Sequence, residues 1–177
     1  MRDSVAALSD ASETLPNRLI AADNLEQLIE SLDNANLLAP LGLWTPLFGF
    51  LDDAEAEIRI LAAWCVGTAV QNNLPAQEAA MEAVVDGKKG GGMAKLVRVA
   101  VGDVDGKVRA KAVRGVSSWV RNYQKGLEAL LGVWSEEMGE EETVGKVDAG
   151  EMEQVDGLME RLKSKGAERA RGSGSGS

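Results

Sequence analysis

The chain has no histidine and only one cysteine among its 177 residues. Without histidine, a Ser-His-Asp triad, a Cys-His pair and any metal site with an imidazole ligand are excluded. The cysteine, Cys65, cannot form a disulfide within the chain, which is typical of a reducing compartment. Because it lies in the apolar run AAWCVGTAV, we interpret it as a small core residue. These absences argue against an enzyme, and we expect no cofactor and no bound metal.

Aromatic residues are scarce, at 4% of the chain, and they are not interleaved with basic residues. Surfaces that bind nucleic acid commonly combine the two, so we expect no nucleic-acid partner. No apolar run approaches the roughly 18 residues of a membrane span. The chain also does not open with the basic segment and apolar stretch of a signal peptide. We therefore expect a cytoplasmic protein with no membrane partner.

Two short motifs resemble ligand-binding loops but lack the required spacing. The glycine-rich segment 86–92, DGKKGGG, has no GxxxxGK[ST] spacing and does not follow a predicted strand, so it does not predict a phosphate loop. The segment 103–106, DVDG, begins like a calcium loop, but its glycine comes two positions too early and no glutamate closes it. We interpret both segments as loops between helices.

Charge is unevenly distributed along the chain. Residues 1–86 carry three basic and 14 acidic side chains, residues 87–127 carry ten and two, and residues 128–177 carry six and 12, for a net charge of −9. A basic middle between acidic ends is consistent either with an oriented electrostatic contact with a partner or with ordinary solvated helix faces.

A repeat is the most informative feature that the sequence does contain. The segments RLIAADNLEQLIES, RILAAWCVGTAVQN and RAKAVRGVSSWVRN begin at Arg18, Arg59 and Arg109, which are 41 and then 50 residues apart. Each begins with an arginine behind an acidic, turn-like stretch and continues with small or apolar residues at helical spacing. Periods of about 40–47 residues are typical of armadillo and HEAT solenoids, which are scaffolds for binding other macromolecules.

The same periodicity predicts an all-α fold, an armadillo-like right-handed α-solenoid without a sheet. The first long helix should end in the segment Asp33–Asn36, with Leu28 and Leu32 on its buried face. We expect a leading helix or cap in residues 1–17, repeats in 18–142, an acidic linker and C-terminal capping helix in 143–171, and an artificial GSGSGS linker in 172–177.

Polar residues on the longest helices are the candidate contact residues, because these helices line the concave face of an armadillo stack. Asn72 and Asn122 occupy the same repeat position, where an asparagine either bridges backbone groups of a neighbouring helix or contacts a partner. Ala35 is included because a small side chain at the end of the first long helix would let a partner approach closely. The predicted partner-binding residues are Asp33, Asn34, Ala35, Thr68, Gln71, Asn72, Arg121 and Asn122.

Two segments carry a family resemblance: 23–47, DNLEQLIESLDNANLLAPLGLWTPL, and 67–73, GTAVQNN. Together they resemble the fungal armadillo-type nucleotide-exchange factors of the seventy-kilodalton heat-shock chaperone, which are relatives of the animal heat-shock-protein-binding protein. The likeness runs from about Met1 to Gln124 and returns at residues 145–156, whereas DGKKGGG is an unusual insertion.

The resemblance implies a monomeric, cytosolic co-chaperone that clasps one lobe of the chaperone's ATPase domain and promotes ADP release without covalent chemistry. By linkage, such a factor weakens ADP binding to the extent that it prefers the nucleotide-free state. Members of the family carry a flexible leader that helps release misfolded substrate. Because Met1 precedes the first long helix by only about 17 residues, we expect an N-terminally trimmed core that retains nucleotide exchange without that release activity.

Two alternatives remain open at the level of the sequence. One is an armadillo-type adaptor that binds an extended peptide between paired tryptophans and asparagines of successive repeats. Trp64 and Trp119 argue against it because they are 55 residues apart, whereas the repeats are 50 apart. The other is an RNA-binding solenoid that uses the basic block 87–127, and its RNA affinity would depend steeply on salt.

Overall fold

The computed structural model describes residues 1–138 and 146–173, and in these residues the chain forms ten α-helices and one short hairpin. The all-α, armadillo-like prediction is confirmed. Residues 139–145, which include the start of the predicted acidic linker, and residues 174–177 of the predicted GSGSGS linker lie outside the described residues. The helices are α1 (Arg2–Ser9), α2 (Leu15–Ile29), α3 (Leu32–Leu37), α4 (Trp44–Gly49), α5 (Ala56–Val70), α6 (Leu74–Glu82), α7 (Gly91–Gly102), α8 (Gly106–Val120), α9 (Gln124–Met138) and α10 (Met152–Ser173).

The helices stack in units of three. The long helices α2, α5 and α8 pack side by side in one row, and α1, α4 and α7 pack in a second row behind them. The short helix α3 packs against α5 and α6. The segments α3–α4–α5 and α6–α7–α8 are therefore two successive three-helix units, as in armadillo repeats.

Side-chain caps define where two of the long helices begin. The Thr14 hydroxyl accepts a hydrogen bond from the Asn17 N–H at 3.4 Å, and Pro16 lies in the first turn of α2, where its missing N–H is not needed. The Asp105 carboxylate accepts from the N–H groups of Lys107 and Val108 at the start of α8. These backbone hydrogen bonds lower the pKa of Asp105.

The first long helix ends earlier than the sequence predicts. α2 ends at Ile29, and the segment Leu32–Leu37 forms a helix of its own behind Ser31, which has extended backbone angles. The turn between the two helices redirects the chain, so the apolar spacing does not continue on one face. As a result Leu28 and Leu32 are 39% and 59% exposed, and the prediction that both are buried is wrong.

The glycine-rich segment forms a small hairpin, whereas the sequence predicts a loop and no strand. Strands β1 (Val84–Val85) and β2 (Lys88–Lys89) pair antiparallel. Asp86 and Gly87, at the turn, both have positive φ angles, 51° and 74°. An Asp-Gly pair adopts this conformation readily and matches the twist of a two-residue hairpin.

Aromatic side chains join the two repeat units in the core. Phe48 of α4 stacks between Trp44 and Trp119, with ring centroids 5.8 and 5.7 Å apart. Trp119 is fully buried, and its indole N–H donates to the Gln77 backbone carbonyl at 3.2 Å. The Gln77 side-chain amide donates in return to the Trp119 carbonyl, so both polar groups are satisfied inside the core.

One lysine of the basic block is buried. Lys95 of α7 is 3% exposed, and its ammonium lies 2.5 Å from an Asp52 carboxylate oxygen and 3.2 Å from one of Asp86. This cluster links the hairpin turn to the end of the preceding repeat, and the two carboxylates compensate the buried charge.

The terminal helix α10 covers the C-terminal end of the stack. It packs against α7 and α8, and Gly166 lies so close to α7 that a Cβ there would meet the Ala100 carbonyl oxygen at 2.8 Å. Just before α10 begins, the Gln124 side-chain amide donates a hydrogen bond to the Val147 carbonyl and accepts one from the Ala149 N–H. These contacts hold the helix along the last repeat.

Candidate partner-binding groove

A shallow groove of about 360 Å³ lies between α5 and α8, the two best-packed helices of the long-helix row. It lies along two of the long helices, which carry several of the candidate contact residues. Its lining combines an exposed tryptophan, two basic side chains, hydroxyls and small residues: Ala63, Trp64, Gly67, Thr68, Gln71, Lys111, Arg114, Gly115, Ser117 and Ser118.

Two glycines set the depth of the groove by letting α5 and α8 approach closely. A Cβ built on Gly67 would lie 3.2 Å from the Cα of Gly115. A Cβ on Gly115 would lie 3.1 Å from a Leu96 methyl group and 3.3 Å from the Ala63 carbonyl oxygen. Since nine in ten real Cβ contacts are longer than such distances, the crossing depends on the absence of side chains here.

Trp64 and Lys111 meet across the groove. The Lys111 ammonium lies 3.4 Å from the centre of the Trp64 ring, and 43% of the tryptophan surface remains exposed. Such a cation–π contact fixes the orientation of both side chains. Burial and the neighbouring charge of Arg114 lower the pKa of Lys111, and the charge of Glu26 partly opposes this.

A buried carboxylate borders the groove on the side of α2. Glu26 is only 6% exposed, and one of its carboxylate oxygens accepts a hydrogen bond from the Thr68 hydroxyl at 3.0 Å. The contact brings a negative charge from α2 next to a groove-lining residue of α5. A carboxyl group as buried as this one is unusual unless it has a hydrogen-bond partner, which Thr68 provides.

The structure brings together only part of the predicted contact set. Thr68 and Gln71 line the groove. Asn72 and Asn122 are exposed just beyond the ends of α5 and α8, where both have left-handed backbone angles, with φ of 51° and 56°. Asparagine tolerates this conformation better than most residues, so their shared repeat position has a backbone explanation.

Arg121 is engaged within the protein. Its guanidinium donates to the Ser117 hydroxyl at 2.8 Å and forms an ion pair with Asp156 of α10. The Asn122 N–H likewise donates to the Ala149 carbonyl at 3.0 Å. Both residues therefore contribute to holding the terminal helix in place.

The three predicted residues of α3 do not line the groove. Asp33 is exposed, and the Asn34 side-chain amide donates to the Leu28 carbonyl at 2.9 Å. Ala35 is 1% exposed and belongs to the core. The expectation that Ala35 presents a small side chain to a partner is wrong, because α3 turns that residue inward against the stack.

Eight of the ten groove-lining residues are missing from the predicted set: Ala63, Trp64, Gly67, Lys111, Arg114, Gly115, Ser117 and Ser118. The repeat spacing of 50 residues indicates one of these positions, because Arg114 follows Trp64 by 50 residues, just as Arg109 follows Arg59. No signal in the sequence indicates that Lys111 reaches over Trp64, because the two residues do not share a repeat position.

Other kinds of site find no support in the described parts of the chain. Residues 1–138 and 146–173 contain no group of three acidic, cysteine or histidine side chains arranged to hold a metal ion. Within the same residues, no helix combines the length and apolar character needed to cross a membrane.

The stacked three-helix units and the groove along their longest helices define an armadillo-like α-solenoid. The crystal structure of an engineered protein has a similar fold, with a TM-score of 0.65 over 94% of this chain and 63% of that one. At 17% sequence identity, the likeness concerns the fold alone.

Sequence relatives define the family. The family model described as nucleotide exchange factor Fes1 matches residues 1–38. Proteins named Hsp70 nucleotide exchange factor FES1 from Coccidioides immitis and Gibberella zeae are each 45% identical, over 92% and 89% of this chain and 73% and 70% of their own lengths. The Neurospora crassa protein of that name is 44% identical, over 93% of this chain and 66% of its own length. The chain belongs to this family of fungal Hsp70 nucleotide exchange factors.

Proposed function

We propose that the chain is a cytoplasmic, monomeric co-chaperone that binds the ATPase domain of the seventy-kilodalton heat-shock chaperone, Hsp70, and promotes ADP release. The observation that carries the proposal is 45% identity over 92% of the chain to a protein named as an Hsp70 nucleotide exchange factor. The α5–α8 groove, with its exposed Trp64, provides a surface for the contact.

The mechanism requires differential binding and no covalent step. If the solenoid binds the ATPase domain more tightly when ADP is absent, thermodynamic linkage lowers the affinity for ADP by the same factor. A preference of about 100-fold corresponds to about 2.7 kcal/mol of coupling free energy. The rigid stack of α5 against α8 suits this task, because a partner must adapt to a scaffold that does not itself deform.

No observation favours the two alternatives that the sequence leaves open. An extended-peptide adaptor needs equivalent tryptophans on successive repeats, but Trp119 is fully buried and Arg114 stands at the position equivalent to Trp64. An RNA-binding surface needs a continuous basic patch. Lys95 is buried between carboxylates, and the Arg109 guanidinium donates to the backbone carbonyls of Asp103 and Val104.

The test is the rate of ADP release measured by stopped flow. Hsp70 loaded with fluorescent ADP is mixed with excess unlabelled ATP, with and without saturating amounts of this chain. We expect a faster release in its presence and no hydrolysis of nucleotide by the chain alone. An unchanged release rate at saturation would reject the proposal.

A second measurement tests the partner without relying on kinetics. A pull-down from fungal cytosol with the immobilised chain should recover Hsp70, and added ATP should release it. A gel-filtration run of the free chain tests the monomeric state, for which we expect an elution volume consistent with 18.7 kDa. Recovery of RNA or of a different protein as the main partner would contradict the proposal.

A further inference from the structure

Two positions of the repeat place an acidic, a neutral and a basic residue along the successive long helices. With the offsets of 41 and 50 residues, Asp23 of α2 is equivalent to Trp64 of α5 and Arg114 of α8. Glu30 is equivalent in the same way to Gln71 and Arg121, whereas Glu26 is equivalent to the uncharged Gly67 and Ser117. Trp64, Gln71 and Arg114 line the groove, and Arg121 is not among its lining residues. The face of the long-helix row therefore changes from negative through neutral to positive.

The acidic side is made by the exposed residues Asp23 and Glu30, which we call the acidic bank. Asp23 lies on α2, and Glu30 follows its last residue with helical backbone angles, so the two residues are seven positions apart and share one face. Glu26, which lies between them, is buried and accepts a hydrogen bond from Thr68, so this side of α2 borders the groove. Within the described residues, neither Asp23 nor Glu30 has a basic side chain within 4.0 Å.

The basic side is made by Lys111 and Arg114, which we call the basic bank. Both line the groove, three residues apart on α8. Neither has a carboxylate within 4.0 Å among the described residues, whereas Arg121, seven residues after Arg114 and just past the end of α8, is already paired with Asp156. Burial and, second to it, the charge of Arg114 lower the pKa of Lys111.

The two banks are separated by the width of α5. Because packed helices lie about 8–10 Å apart, the axes of α2 and α8 are roughly 16–20 Å apart. Exposed charges at that separation are largely screened from each other by physiological salt, so Asp23 and Glu30 do not neutralise the basic bank. The buried Glu26 acts on Lys111, but it offsets the lowering of the Lys111 pKa only in part. Two uncompensated banks of opposite sign on one face will attract groups of opposite sign on a partner.

We propose that the groove accepts its partner in a single orientation, with basic side chains of the Hsp70 surface on the acidic bank and acidic side chains on the basic bank. The inference rests on the proposed function and adds the charge pattern that the partner surface must carry. Trp64 lies between the banks as the apolar contact. The arrangement excludes the reversed orientation, because that would bring like charges together on both sides.

Charge reversal of each bank separately distinguishes an oriented contact from simple attraction. The first variant is Lys111→Glu/Arg114→Glu, and the second is Asp23→Lys/Glu30→Lys. If Hsp70 presented only acidic groups to the groove, the second variant would bind more tightly; if it presented only basic groups, the first would. An oriented contact requires that both variants bind more weakly, by about tenfold or more at low salt.

Matched controls change the net charge equally on other surfaces. Lys88→Glu/Lys125→Glu controls for the first variant, and Glu128→Lys/Glu136→Lys, on α9, controls for the second. All four of these residues are exposed and none lines the groove. Their affinities should remain within about twofold of the unchanged chain, because distant surface charges contribute mainly long-range terms.

The measurement is the dissociation constant for full-length, ADP-bound Hsp70, determined by titration at two salt concentrations, with circular dichroism of every variant. Should a reversal variant fail to fold, the neutral forms Lys111→Gln/Arg114→Gln and Asp23→Asn/Glu30→Gln replace it, and weaker binding by each is then expected. Tighter or unchanged binding by either folded bank variant overturns the inference but leaves the proposed function intact. If the unchanged chain does not bind Hsp70, the proposed function fails, and the inference fails with it.

Discussion

Arg59 of α5 binds Asp103, in the turn before α8, through two hydrogen bonds, from Nε at 2.7 Å and from Nη2 at 3.0 Å. Its third nitrogen donates to the backbone carbonyls of Asp53 and Ala54, in the turn before its own helix. One side chain thus joins the turns of two successive repeats. Arg18 forms the preceding contact of the same kind, with Asp53.

Removing the cation of the Arg59–Asp103 pair should destabilise the helix stack. The side chains of Arg59 and Asp103 are 12% and 7% exposed, so Arg59→Ala leaves a nearly buried carboxylate without its partner. We expect the free energy of unfolding to fall by about 2–4 kcal/mol. Lys163→Ala, which removes an exposed pair with Glu160, should change it by less than about 0.5 kcal/mol. Urea denaturation followed by circular dichroism measures both, and equal effects would contradict the assigned role.

Acid should weaken the contacts between successive repeats, because it protonates the Asp53 carboxylate that pairs with Arg18. Burial raises the pKa of the Asp53 carboxyl group. Hydrogen bonds from Arg18 and from the Glu55 N–H, together with the charges of Arg18 and Arg59, lower it by more, so the pKa lies below its ordinary value. A lowered pKa in the folded state means that the stabilisation is present above the unfolded value, near 3.9, and is lost as pH falls through the folded value.

The expected result is a smaller loss of stability in acid for Asp53→Asn than for the unchanged chain. The variant is less stable at neutral pH, but it has no carboxylate to protonate at this position. Urea midpoints measured between about pH 6 and pH 3 test this, because the two curves should converge toward the acid end. Parallel curves would show that Asp53 does not contribute to the acid sensitivity.

The sequence predicts the repeat and its arginines because both depend on local patterns. Arg18, Arg59 and Arg109 recur at the start of long helices, and the acidic turns before those helices are visible in the sequence. The helix boundaries are predicted less well. Nothing in the spacing of Leu28 and Leu32 indicates that α2 stops at Ile29, since the turn at Ser31 is stabilised by how α3 packs on α5 and α6.

Most of the groove lining could not be predicted because its residues meet only in three dimensions, and two buried side chains outside the lining illustrate the same limit. The Glu26 carboxyl group is buried, and its hydrogen-bond donor is Thr68, 42 residues later in the chain. Lys95 belongs to the basic block 87–127 of the sequence, but in the fold its ammonium forms ion pairs with Asp52 and Asp86. In both cases the deciding partner belongs to another repeat, and no local periodicity reports it.

Ala35 provides a test of the corrected position of α3. Because Ala35 is 1% exposed, Ala35→Arg must bury an unpaired charge or displace α3. We expect the free energy of unfolding to fall by more than about 3 kcal/mol, with loss of helix content on mild heating. Asn36→Arg, at the exposed neighbouring position, should change it by less than about 0.5 kcal/mol. A fully folded and equally stable Ala35→Arg variant would show that the residue is not in the core.

The glycines at the α5–α8 crossing should resist substitution. In an isolated helix, glycine to alanine is favourable by up to about 1 kcal/mol. Gly132→Ala on α9 should show that gain, because nothing lies within 4 Å of a Cβ there. Gly67→Ala would press against the Cα of Gly115, so we expect a net loss of about 1–2 kcal/mol. Thermal unfolding of the two variants side by side checks the prediction, and a comparable stabilisation by both would refute the close crossing.

Trp64 should dominate the binding energy of the groove. Among the described residues, it is the only large apolar side chain that lines the groove, 43% of its surface is exposed, and the Lys111 ammonium lies 3.4 Å from the centre of its ring. A preorganised tryptophan bordered by polar residues has the character of an interface hot spot, for which truncation to alanine costs about 2 kcal/mol or more of binding energy. Because the ring is half exposed in the free protein, Trp64→Ala should lower the stability of the chain by less than about 1 kcal/mol.

Leu74→Ala is the control, since Leu74 is 52% exposed on α6 and lies outside the groove. Titration against ADP-bound Hsp70 should then show a loss for Trp64→Ala alone, and Trp64→Phe, which keeps an aromatic face under Lys111, should recover part of it. If the tryptophan and leucine variants bind equally well, the partner contacts another face of the solenoid.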